Sequence, residues 1–120
     1  MQKLILPINL FPSLNKIIDL SKTHWSRYSN LKAKLTLIVT SYMKDMRPVT
    51  KYPVKLKFLW ILENKRRDPD NISAVGTKVI LDGLVSAQVL KNDGFNAISE
   101  INHKFEVDKR HPRVEVTLSY

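Results

Sequence analysis

The chain contains no cysteine. That excludes disulfides, thiolate zinc sites and cysteine nucleophiles. Glycine is scarce, at three residues in 120, and no repeat, linker or low-complexity segment interrupts the sequence. At this length the expectation is one domain spanning residues 1–120. No stretch approaches the roughly 20 apolar residues of a membrane span. The first eleven residues do not read as a signal peptide, because Pro7 and Asn9 break the apolar run and no small-residue cleavage site follows. The reading is of a cytoplasmic protein with no membrane partner. Acidic residues are also in deficit, 11 against 20 Lys and Arg, for a net charge of +9. Such an excess on a small domain favours a polyanionic partner, although a basic protein with no such partner has the same balance.

What is present suffices for a core, since 43 % of residues are hydrophobic. Leu4, Leu6, Ile8 and Leu10 alternate with Lys3, Ile5, Pro7 and Asn9, which predicts a first strand. Pro7 cannot donate to a ladder, so it places that strand at an edge or shortens it. Residues 12–16 are a turn-rich exit, and residues 17–25 read either as a helix start or as a packed loop. His24 and Trp25 suit a substrate-contacting loop, or an aromatic plug at a helix entrance. Tyr28, Leu31, Leu35, Ile38, Tyr42 and Met46 recur at threes and fours. They predict an amphipathic helix over residues 26–46 with that stripe on a sheet.

Val54, Leu56, Phe58, Trp60 and Leu62 form the clearest alternation in the chain. The opposite face begins with Lys55 and Lys57 and turns apolar at Leu59 and Ile61, as in an interior strand whose far end is covered on both sides. Ile72, Val75, Gly76, Val79, Ile80, Gly83 and Leu84 predict a second helix. Asp68, Pro69 and Asp70 suit its cap, first position and first turn. Gly76 costs about 1 kcal/mol in a helix interior, which close packing on the sheet would explain. Two further alternations, Ile101 to Val107 and Val114 to Tyr120, flank residues 108–112 and predict a C-terminal β-hairpin with one polar face. The order β-α-β-α-β-β defines a small α/β (α+β) domain with a mixed sheet and two helices.

One stretch runs against the charge balance. Lys65, Arg66 and Arg67 lead directly into Asp68-Pro69-Asp70. A basic protein has little electrostatic reason to cluster carboxylates, and a divalent metal supplies one. A residue before proline is pushed into extended conformation, and residues two apart on extended chain point the same way. Asp68 and Asp70 can therefore face one site. N-capping, worth about 1 kcal/mol, accounts for one of them by itself, and pairing with Arg66 and Arg67 would account for both. Asp93 lies in an Asn92-Asp93-Gly94 turn, where a return loop can bring it beside the strand end. Mg2+ takes oxygen ligands, relieves the repulsion of gathered carboxylates, and activates water on a phosphodiester. Lys78 and Asp82, four apart, either pair with each other or point to that site. Lys78 stands about 12 Å along the helix axis from Asp70, and its side chain leans back towards the N-terminus.

Over essentially its whole length the chain resembles the RusA-type endodeoxyribonucleases, Holliday junction resolvases often carried by prophages. The resemblance begins at Pro12-Ser13-Leu14-Asn15 and ends with the C-terminal strand pair. It centres on Arg67-Asp68-Pro69-Asp70-Asn71, Lys78, Leu81-Asp82-Gly83-Leu84 and Asn92-Asp93. It implies a Mg2+-dependent endonuclease, with Mn2+ as a substitute, whose metal is held by Asp68, Asp70 and Asp93 and whose cleavage uses Lys78. The family's lysine stands one helical turn after the second aspartate, where this chain has Ala74. Lys78 therefore takes that role only with one turn added. The resemblance also implies a homodimer with two active sites, suited to paired cleavage of a symmetric four-way junction.

On this reading Lys65, Arg66, Arg67, Lys104, Lys109, Arg110 and Arg113 hold DNA phosphates, and binding weakens steeply with salt. Two other readings share the positive charge: a noncatalytic basic nucleic-acid-binding protein with the same fold, and a basic subunit of a larger assembly. The Asp-x-Asp pair separates the first reading from these, since carboxylates oppose phosphate unless a cation lies between them.

Overall fold

The computed structural model describes residues 1–11, 22 and 25–120. The turn at 12–16 and His24 lie outside them, and of Trp25 only the backbone is described. Strand β1 (Gln2–Pro7) buries Leu4 and Leu6 and stops at Pro7, where a 3-10 turn (Ile8–Leu10) takes over the alternation. Helix α1 (Trp25–Ser41), strand β2 (Val54–Leu62), helix α2 (Pro69–Ser86), and strands β3 (Ile98–Val107) and β4 (Arg113–Ser119) follow. The four strands form one mixed sheet in the order β1-β4-β2-β3. β4 runs antiparallel to both β1 and β2, and β2 runs parallel to β3. β1 occupies an edge, as Pro7 predicts.

The predicted terminal hairpin does not form. β3 and β4 flank β2 on opposite sides, so residues 108–112 step across one strand. Two strand spacings are about 10 Å, within reach of a five-residue connection. Burial explains the choice. β4 alternates Val114, Val116 and Leu118, all buried, with half-buried residues on its other face, and it gains most in the sheet interior. β3 carries charged or polar side chains at every second position and takes an edge.

β2 is the centre of the core. Val54, Leu56, Phe58, Trp60 and Leu62 are buried on the helix side, and the far face turns from exposed Lys55 and Lys57 to buried Ile61. Both helices cover the same side, giving a two-layer α+β domain. α2 buries the predicted set, Ile72, Val75, Gly76, Val79, Ile80, Gly83 and Leu84, together with Leu81. A Cβ at Gly76 would lie 2.5 Å from the Trp60 ring, so the missing side chain lets α2 sit on the indole. α1 ends at Ser41, short of the predicted residue 46, and along it and the turn that follows the buried stripe is rotated from the predicted one. Leu35, Val39 and Met43 are buried, whereas Tyr42 is exposed. Val39 and Met43 approach Gly83, so α1 aims its stripe at the junction of α2 with the sheet and not at the sheet alone.

Candidate functional site

The loop after β2 and the loop after β3 emerge at the same end of the sheet, because those strands are parallel and Leu62 stands opposite Val107. The Asp108 N–H donates to the Leu62 carbonyl at 2.8 Å and ties the two loops together. Exposed Lys65 and Arg66 lie in the first loop and exposed Lys109 and Arg110 in the second. α2 starts from the same end. Its cap position is Asp68, in extended backbone at φ −73° and ψ 132°, as expected of a residue before proline. The Asp68 carboxylate makes no capping hydrogen bond. Among the described residues it accepts a long contact from Asn71 Nδ2, at 3.5 Å to Oδ2. Asp70 is exposed in the first turn. N-capping is thus not what the Asp68 side chain does.

Two arginines expected on this surface have other partners. Arg67 Nη2 donates to the Phe11 carbonyl at 2.8 Å, tying the segment after β1 to the approach of α2. Burial lowers its pKa from the ordinary guanidinium value, against an opposing pull from Glu63. Arg113 Nε donates to Glu115 Oε2 at 2.8 Å, its Nη1 donates to the His111 carbonyl, and Lys3 also pairs with Glu115. The hydrogen bond from Lys3 is the largest cause of the lowered Glu115 pKa. Lys104 stands mid-strand on β3, opposite Leu59 and away from the loop end.

A second polar cluster lies in the middle of α2. Lys78 Nζ is 3.0 Å from Asp82 Oδ1 and 3.5 Å from Asp93 Oδ2, and Lys32 Nζ on α1 is 3.8 Å from Asp82 Oδ2. The hydrogen bond to Asp82, ahead of the Asp93 contribution, raises the Lys78 pKa above 10.5. Lys78 is therefore a cation at neutral pH. A groove of about 710 Å³ between the helices is lined by Ser29, Lys32, Thr36, Lys78, Asp82 and Asp93, among others. A smaller hollow of about 180 Å³ continues past Lys32 and Lys78 to Ala74. Asp70, Ala74, Lys78 and Asp82 are spaced by four, one ridge of the helix.

The return loop holds Asp93 in place. α2 closes through Gln88 at φ 62°, and the Val89 N–H donates to the Leu84 carbonyl at 2.9 Å, the bond of a left-handed C-terminal cap. The Lys91 N–H donates to the Tyr52 hydroxyl at 3.0 Å, and the Lys91 ammonium lies 4.4 Å from the centre of that ring. Asn92 Oδ1 accepts the Gly94 N–H at 3.0 Å, setting the turn around Asp93.

The structure thus brings Asp93 to Lys78 and keeps Asp68 beside Asp70. It does not gather all three aspartates: among the described residues no group of three His, Asp or Glu side chains is placed to hold a metal ion. The physical reason is direction. α2 runs away from the loop end of the sheet, and the loop after it climbs back only as far as mid-helix. Lys32 joins the cluster without any signal in the sequence, because a charge off an apolar stripe does not reveal which neighbouring helix it meets. No helix among the described residues is long and apolar enough to cross a membrane. No protein-family model matches the chain, and no curated protein matches it.

Proposed function

We propose that this protein is a Mg2+-dependent endodeoxyribonuclease that cuts four-way DNA junctions, working as a cytoplasmic homodimer in recombination and repair. The observation that carries the reading is the exposed Asp68–Asp70 pair at the start of α2, with the Asp68 carboxylate making no capping hydrogen bond, on a rim that also presents Lys65, Arg66, Lys109 and Arg110. Carboxylates in a phosphate-binding rim repel the ligand unless a cation stands between. Mg2+ is usually held by one or two carboxylates plus substrate phosphate and water. The donor set fits that demand, with Asp68 and Asp70 as the residues that would hold the ion. When bound, Mg2+ or Mn2+ supplies an activated water and stabilises the leaving oxygen of the phosphodiester.

Lys65, Arg66, Lys109 and Arg110 take phosphates of the DNA backbone. Lys78, protonated at neutral pH, offers three donors to a phosphate that enters the helix groove. A phosphate arriving there competes with Asp93 for the Lys78 ammonium. The wild-type protein should cut a four-way junction with Mg2+ or Mn2+, leave it intact with EDTA, and cut linear duplex far more slowly. Junction binding with no cutting under either metal makes the chain a noncatalytic nucleic-acid-binding protein instead.

A further inference from the structure

Lys32 on α1 and Lys78 on α2 reach the same carboxylate from different helices. Lys78 Nζ lies 3.0 Å from Asp82 Oδ1 and Lys32 Nζ lies 3.8 Å from Asp82 Oδ2, one ammonium to each oxygen. At 3.8 Å the Lys32 contact is an ion pair too long for a hydrogen bond, so it uses none of the three N–H donors of that ammonium. Both side chains stay about half exposed, at 42 % and 56 %. They are also the two described residues that line both hollows between the helices. Lys32 and Lys78 thus form a neck. On one side lies the wide groove that holds Asp82 and Asp93, and on the other a hollow of about 180 Å³ walled by Tyr28, Leu35, Ala74, Val75 and Val79. A partly exposed ion pair adds little to stability, and two like charges around one carboxylate repel each other. Helix packing alone gives little reason for the second lysine.

We propose that Lys32 is a second phosphate ligand: with Lys78 it clamps the phosphate of one nucleotide at the neck, and the smaller hollow takes that nucleotide's sugar or base. Two ammonium groups that share one carboxylate are close enough to share one phosphate, which presents more oxygens. Hydrogen bonds from ammonium to phosphate are charge-assisted and stronger than neutral ones. The occupant is a nucleotide and not a bare anion because the neck opens onto an apolar wall, formed by Leu35, Ala74, Val75 and Val79. That hollow is smaller than the about 300 Å³ at which sites for drug-sized ligands begin, so it admits one ring and not a base pair. Asp93, 3.5 Å from Lys78 Nζ, is the anion with which the phosphate competes. Asp82 stays between the two lysines and offsets their repulsion. That the nucleotide belongs to a DNA strand rests on the proposed nuclease, whereas the clamp stands on the lysines and the hollow.

The test is binding of thymidine monophosphate and of inorganic phosphate to the full chain, in EDTA at low salt, by NMR shift titration. Wild type should hold the nucleotide about ten-fold more tightly than phosphate, through the apolar hollow. Lys32→Gln should weaken both probes about ten-fold, and Lys32→Arg, which keeps the charge, should retain most of the binding. Ala74→Leu fills the hollow from an exposed position on α2 and should weaken the nucleotide alone. Asp93→Asn removes the competing anion and should tighten both. Equal affinity for the two probes, no loss in Lys32→Gln, or equal loss of both probes in Ala74→Leu overturns the clamp. The two readings fail separately. A chain that binds the nucleotide through Lys32 and never cuts a junction with Mg2+ keeps the clamp and loses the nuclease. A chain that cuts junctions and binds neither probe does the reverse.

Discussion

Trp60 is fully buried, and its indole N–H donates to His103 Nδ1 at 3.0 Å. The imidazole accepts only while its proton sits on Nε2. Partial loss of water where the ring lies against Phe58 and Trp60 also pushes its pKa below 6.5, although the residue as a whole is exposed. A histidine with a depressed folded pKa adds stability that is fully present above the unfolded value and lost as pH falls through the folded one. Unfolding free energy measured by urea titration should therefore drop between pH 7.5 and pH 5. His103→Leu leaves the indole N–H without this acceptor and should lose about 1–3 kcal/mol at pH 7.5, but with a flatter acid limb. An equally steep acid limb in that variant would place the titration elsewhere. Lys78 gives a prediction at the same scale. Asp82→Asn removes the main cause of its raised pKa at a stability cost of a few tenths of a kcal/mol. In the proposed enzyme kcat should fall about ten- to a hundred-fold through misplacement of the ammonium, and the alkaline limb of the rate profile should move to lower pH. A fall in rate with no movement of that limb would assign Asp82 to helix stability alone.

At the scale of elements, the two glycines of α2 make opposite predictions. A Cβ at Gly76 meets the buried Trp60 ring at 2.5 Å, and neither ring nor helix can yield. Gly76→Ala should cost about 1–3 kcal/mol by overpacking. A Cβ at Gly83 meets the Met43 methyl at 3.0 Å, the far end of a flexible chain, and Val39 Cγ1 at 3.1 Å, a milder crowding than at Gly76. There the gain of about 1 kcal/mol in helix propensity offsets the crowding, and Gly83→Ala should be near neutral in thermal unfolding. The close approach of Gly76 was legible in the sequence, because a glycine on the apolar face of a helix weakens that helix unless something packs against its bare backbone. So were the interior position of β2, from the apolar switch at Leu59 and Ile61, and the edge position of β1, from Pro7. The partner of β4 was not. Alternation in Val114, Val116 and Leu118 states which face is buried and is silent on which strand lies alongside. The α1 stripe failed for a related reason: Tyr42 and Met43 are adjacent apolar positions, and the neighbour, here Gly83 of α2, decides which one turns inward.

For the whole molecule, the +9 charge is distributed, not diffuse. Parallel pairing of β2 with β3 sends Lys65, Arg66, Lys109 and Arg110 to one end, where α2 presents Asp68 and Asp70. Spacing around Pro69 singled out those two aspartates in the sequence, and both lie exposed at the start of α2. Nothing in the sequence could show that Asp93 would sit on Lys78, because that contact depends on how far the return loop climbs, which the Tyr52 anchor sets. On these placements rests the claim that the aspartate pair at the α2 start makes a metal-dependent nuclease of a basic fold. The decisive experiment is single-turnover cleavage of a labelled four-way junction, comparing wild type with Asp70→Asn at saturating protein and Mg2+. The variant should bind the junction as tightly as wild type and leave it uncut. Cleavage by Asp70→Asn at the wild-type rate would contradict the assignment.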